Sequence, residues 1–143
     1  MNAGVLMANR LRVSLLAVLV LGVAACTASP APVDRHAAST SWGSYNHEFE
    51  VCTTTNAQDP SLMFHLDQLL TADHACASTF DGELAKLAVP DDTRQDLQTL
   101  RDDLHKFIGN TDAAHALVFM GDQLSTDARK VTADLTGQSS SSP

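Results

Sequence analysis

From Trp42 to Thr136 the apolar side chains recur every three or four residues, the spacing of amphipathic helices, and nowhere alternate over a run long enough for a strand. Trp42, Tyr45, Phe49 and Cys52 fall on one face of a first helix. Asp59 followed by Pro60 has the form of an N-cap with proline at the first helical position. A second helix is therefore predicted from there to about Ala88, with Leu62, Leu66, Leu69, Cys76, Phe80, Leu84 and Leu87 as its inner stripe. Val89-Pro90-Asp91-Asp92 stops it and caps a third, whose face is Leu97, Leu100, Leu104, Phe107 and Ile108. Gly109-Asn110-Thr111 closes that helix and opens a fourth, presenting Leu117, Met120, Leu124, Ala128, Val131 and Leu135. Short connections make neighbours antiparallel. The predicted fold class is all-α, a small up-and-down helical bundle of three long helices plus a shorter N-terminal helix.

Ahead of this region lies a different pattern. Arg10-Leu11-Arg12 is followed by an unbroken small and apolar run that closes on Val23-Ala24-Ala25-Cys26. The run is too short for a membrane-spanning helix, which needs roughly twenty apolar residues. Basic residues, then an apolar stretch, then small residues describe a secretory signal peptide. A small aliphatic triplet directly before a cysteine resembles the lipobox of bacterial lipoproteins. The resemblance covers the first fifth of the chain. It implies a diacylglyceryl thioether on Cys26, cleavage after Ala25 and acylation of the new amino terminus, hence attachment to the cell membrane. At roughly 0.8 kcal/mol per buried methylene, two or three acyl chains hold a protein on a bilayer essentially without release. Thr27 is not the aspartate that retains such proteins in the inner membrane of many two-membrane bacteria, so an outer membrane is compatible. Met7 also heads a well-proportioned signal.

The expected organisation is a signal peptide at 1–25, a lipidated tether at 26–41, the helical domain at 42–136 and a serine tail at 137–143. The tether is small, polar and proline-containing and has almost nothing to bury. About 118 residues remain after cleavage, enough for one domain. Loss of Arg10 and Arg12 takes the net charge from −8 to −10. That charge argues against nucleic acid and against adsorption to anionic lipid, leaving the acyl chains to bind the membrane.

Cys52 and Cys76 are the cysteines left after lipidation. In an exported chain an even pair predicts one disulfide, worth about 3 kcal/mol in the chain-entropy model. A metal site of Cys52 and Cys76 with His47 or His74 matches no tight zinc spacing, and oxidation competes for the thiolates. A tight hairpin turning near Gln58 would leave the two cysteines more than about 15 Å apart along the axis, beyond the roughly 7 Å limit for a bridge. The first helix is therefore expected to end near Cys52, with residues 53–58 extended beside the second. A steeply crossed first helix would serve equally.

Asp73 falls in the middle of the second helix's apolar stripe, where an unpaired charge costs several kcal/mol. It reads either as a carboxylate that handles a ligand or a proton, or as a structural acid bonded to Tyr45, to a threonine of 53–55 or to a basic neighbour, or placed where the core opens to water. Asp102 with His105, and Asp112 with His115, have the i, i+3 spacing of di-metal bundles. Both histidines, however, lie well off their helices' apolar faces, about 110° and 160° from the centre. His47 and Glu48 sit on a solvated helix edge. There is no phosphate loop, no nucleophile turn, no zinc-peptidase motif and no Cys-x-x-Cys-His for haem. No catalytic residue, metal ligand or cofactor is expected. Val118 and Phe119 lie off the apolar stripe of the fourth helix and form a candidate partner contact. The function expected is that of a non-enzymatic envelope lipoprotein that binds a protein or assists an assembly. The alternative is a small-ligand or metal-binding bundle with a cavity beside Asp73, Phe80 and Leu104.

Overall fold

Asp34 is the N-cap of the first helix. A computed structural model describes residues 31–138; the signal run, Cys26 and residues 139–143 lie outside them. The carboxylate of Asp34 accepts from the backbone N–H groups of His36 and Ala37, satisfying two donors that a helix start leaves free. The first helix, α1 (Arg35–Gln58), therefore starts seven residues earlier than the expected tether boundary. Ala38 and Trp42 are buried along it, and Tyr45 and Phe49 are half-buried against the core.

α1 also ends later than expected. It continues through Thr53-Thr54-Thr55 to Gln58, and at 24 residues it is not the shorter helix expected. Thr53 and Thr55 return their hydroxyls to carbonyls of the preceding turn. Pro60, which has the form of a helix start, instead belongs to a connection. Asp59 accepts from the N–H and hydroxyl of Ser61, forming a local turn, and α2 (Leu66–Leu84) begins only after His65. This later start resolves the disulfide problem. Cys52 is now six residues before the end of α1 and Cys76 ten after the start of α2. The axial mismatch falls to about 6 Å. The two Cα atoms stand 6.0 Å apart and the bond is formed with both helices intact.

α2 ends at Leu84, short of the expected Ala88. α3 (Asp91–Ile108) follows as the sequence indicates, with Asp91 and Asp92 at its positive end and His105 and Lys106 at its negative end. Asp112 caps α4 (Ala113–Phe119), accepting from the N–H of His115. A π-helical turn, Met120–Leu124, joins α4 to α5 (Ser125–Thr136), and helical backbone angles at Met120 and Ser125 make the three segments one continuous rod. Gly137 ends it at φ 69°, a left-handed conformation open to glycine without steric cost.

The wider π turn takes up an extra residue and changes which side of α4 faces inward. Ala113 and Ala116 are buried, and Phe119 and Met120 pack on the core, where the regular spacing points Leu117 inward. Below the turn Leu124, Val131 and Leu135 occupy the interior as expected.

Specific contacts order the helices. Trp42 and Phe49 meet Phe80, joining α1 to α2. Asp81 meets Arg101 and His105, and His74 packs edge-on to Phe107, joining α2 to α3. Trp42 donates from its indole N–H to Thr132, and Arg35 donates to the Asp134 carbonyl, joining α1 to α5. The shared interior holds Leu84, Leu97, Leu100, Leu104, Phe107 and Val131. Among the described residues there is no strand.

Candidate functional site

Four features of the domain have chemistry to offer. The first is Asp73, which is 1 % exposed on α2. Its partner is none of those expected: the side-chain amide of Asn56, in the last turns of α1, donates to its Oδ1 at 2.8 Å. The same nitrogen lies 3.3 Å from Cys76 Sγ. Asn56 continues the four-and-three spacing of Ala38, Trp42, Tyr45, Phe49 and Cys52, a signal that a first helix ending at Cys52 hides. Burial pushes the Asp73 carboxyl above its ordinary value, while Asn56 and neighbouring His74 offset part of the rise. Nε2 of His74 is buried without a hydrogen-bond partner beside it.

The second feature lies between α3 and α5 and has no counterpart in the sequence reading. Asp103 and Asp127 are both buried, and each binds the lysine three residues on, Lys106 at 2.6 Å and Lys130 at 2.9 Å. Gln123 donates to the other oxygen of Asp127 at 3.0 Å. Burial raises the Asp127 carboxyl, but Lys130, Gln123 and the Asp103 carboxyl together hold it below the ordinary range. Seven residues away on each helix, Asp96 and Asp134 form a second carboxyl pair. Here burial and then Asp96 push Asp134 up, with Arg35 opposing. The signal was present in the duplicated Asp-x-x-Lys spacing and in Asp127 falling between Leu124 and Val131.

The third is a groove of about 520 Å³ between α1 and α2, lined by Tyr45, Phe49, Phe80 and the Cys52–Cys76 disulfide. Glu48 and Glu83 are the charged side chains on its wall. Asp73 does not line it, although Asn56 does. A smaller pocket of about 280 Å³ lies by the α2–α3 connection, and its two arginines, Arg94 and Arg101, are already paired with Asp91 and Asp81.

The fourth is apolar and exposed. Met63 and Phe64 project from the α1–α2 connection and Leu66 from the first turn of α2, Phe64 being 82 % exposed. Leu66 thus leaves the inner stripe assigned to it, and Leu70 takes an inner position. Of the expected contact on the fourth helix, Val118 is 64 % exposed, whereas Phe119 is half-buried against the core, so the two do not make one bare patch.

The Asp-x-x-His pairs do not converge. His105 bonds Asp81 at 3.0 Å, and His115 sits 3.3 Å from its own capping Asp112. Among the described residues no three His, Cys, Asp or Glu side chains stand together as a metal site. Comparison with family models, with curated proteins and with solved structures gives no match.

Proposed function

We propose that the chain is a non-enzymatic, lipid-anchored envelope protein whose helical domain binds another protein. The observation that carries this reading is the exposed apolar tip Met63, Phe64 and Leu66. Burying a phenylalanine is worth roughly 1.5–3 kcal/mol, which the monomer forgoes at Phe64 and a partner would recover. Val118 offers a second, smaller contact. Antiparallel packing of α1 on α2, α2 on α3, α3 on α5 and α5 on α1 supports an up-and-down order for the bundle. In that order the tip follows the last turn of α1, at the far end of the helix from its cap at Asp34.

The anchor is part of the same proposal. Arg10 to Cys26 supports lipidation, and among the described residues no helix is long and apolar enough to cross a membrane. With the helix starting at Arg35, the segment between Cys26 and Asp34 is seven residues, at most about 25 Å long. Mass spectrometry of the native protein tests the anchor, expecting a diacylglyceryl thioether on Cys26. A photo-crosslinking residue at position 64 in intact cells tests the partner. One discrete adduct there supports the reading; the diffuse labelling given by an exposed control position such as 99 counts against it.

The groove between α1 and α2 favours a second reading, in which the domain takes a small ligand. Its volume lies within the roughly 300–1,000 Å³ of small-molecule sites.

A further inference from the structure

The groove's lining restricts what could occupy it. Phe49 stacks on Phe80 at 4.7 Å with an interplanar angle of 8°, and Trp42 tilts against Phe80 at 5.9 Å, so the aromatic floor is held by two further rings. The disulfide fixes the two walls to each other at 6.0 Å between Cα atoms. Tyr45 and Phe49 are only half-buried and keep surface toward the groove. No lysine, arginine or histidine lines it. Its charge comes from Glu48 and Glu83. Glu83 shares its carboxylate with Lys86 at 3.0 Å, but Glu48 has no ion pair among the described residues and accepts only from the Ser44 hydroxyl at 3.2 Å.

We propose that this groove binds an organic cation with an apolar body, such as a quaternary or protonated amine bearing an aromatic or branched aliphatic group; this rests on the ligand reading above. The body lies on half-buried Phe49 and the exposed Cys52 side of the disulfide, with buried Phe80 as the floor beneath Phe49. The cationic head meets the electron-rich face of Tyr45 or Phe49 and the unpaired carboxylate of Glu48. An anion of the same shape meets two carboxylates and finds no donor of opposite charge. The net charge of −8 adds a long-range attraction for the cation but does not direct it to this groove.

The test is an NMR titration of the full mature chain in nonionic detergent with benzyltriethylammonium and, separately, 4-tert-butylbenzenesulfonate. The expected result is that the cation shifts amides of residues 45–52 and 72–83 and binds about tenfold or more tighter than the anion. E48Q should weaken the cation about threefold, the scale of one exposed charge contact, and leave the anion no weaker. Equal binding of both probes overturns the charge selectivity while leaving a ligand groove. Binding of neither, or shifts that map away from α1 and α2, overturns the ligand reading as well.

Discussion

The amide of Asn56 donates a 2.8 Å hydrogen bond to Asp73, joining the end of α1 to the buried middle of α2 beside the disulfide. It is the one hydrogen bond the described structure gives that carboxylate, which sits in an apolar stripe. The ionised form of Asp73 is penalised by burial, so its folded pKa lies above its unfolded one. A raised acid pKa means that the folded state binds its proton first. Asp73 therefore costs stability at neutral pH, and the cost is relieved as pH falls through the folded pKa.

Replacing Asn56 with leucine should destabilise the domain by about 1–3 kcal/mol at pH 7, because it leaves a buried acceptor unpaired. Urea unfolding at pH 7 and pH 4.5 checks this: the loss should be smaller at the lower pH. A loss independent of pH would mean that Asn56 matters through packing alone.

At the α3–α5 seam the sign is opposite. The folded pKa of Asp127 lies below the ordinary value near 3.8, so its contribution is present above that pH and is lost as pH falls through the folded pKa. D127N should cost about 1.5–3 kcal/mol at pH 7, the scale of hydrogen bonds to a charged group, and the variant and parent should converge below pH 4. Chemical denaturation across that range reads both.

The disulfide closes a separation of 24 residues. Substituting both cysteines with serine should lower stability by about 3 kcal/mol. The second half of α1 should respond most, since its buried residues, Ala38 and Trp42, lie in the first half. Hydrogen exchange should therefore quicken at residues 52–58 more than in α3.

At the tip, F64S should change unfolding free energy by less than about 0.5 kcal/mol, because the side chain touches little of its own domain. The same variant should abolish the position-specific contact proposed above, as read by crosslinking from neighbouring position 63. A large loss of stability would instead assign Phe64 to the fold.

The reading of α3 from sequence rested on strong punctuation, Pro90-Asp91-Asp92 before it and Gly109 after it, and on a steep contrast between its faces. α1 offers neither. Its first turns run Arg-His-Ala-Ala-Ser-Thr-Ser-Trp-Gly with Ala38 and Trp42 buried, so they resemble a tether until packing is seen. Asp59-Pro60 has the composition of a helix start but is used for a turn, since Asp59 spends its carboxylate on Ser61 two residues on. Asp73 is buried on α2, and a first helix ending near Cys52 leaves its partner Asn56 out of view. The inward rotation of Phe119 could not be read at all, because a constant 100° per residue has no place for the wider turn at Met120–Leu124.

That wider turn divides one rod into two lengths whose contact surfaces are set independently. α4 can follow α2 while α5 stays in register with α3, and a residue gained or lost between Met120 and Leu124 would twist one half against the other without breaking either. Gly121 stands there with open space where a Cβ would lie, while Met120 and Leu124 at the two ends of the turn hold it against the core, so position 121 alone could take a side chain without displacing a neighbour.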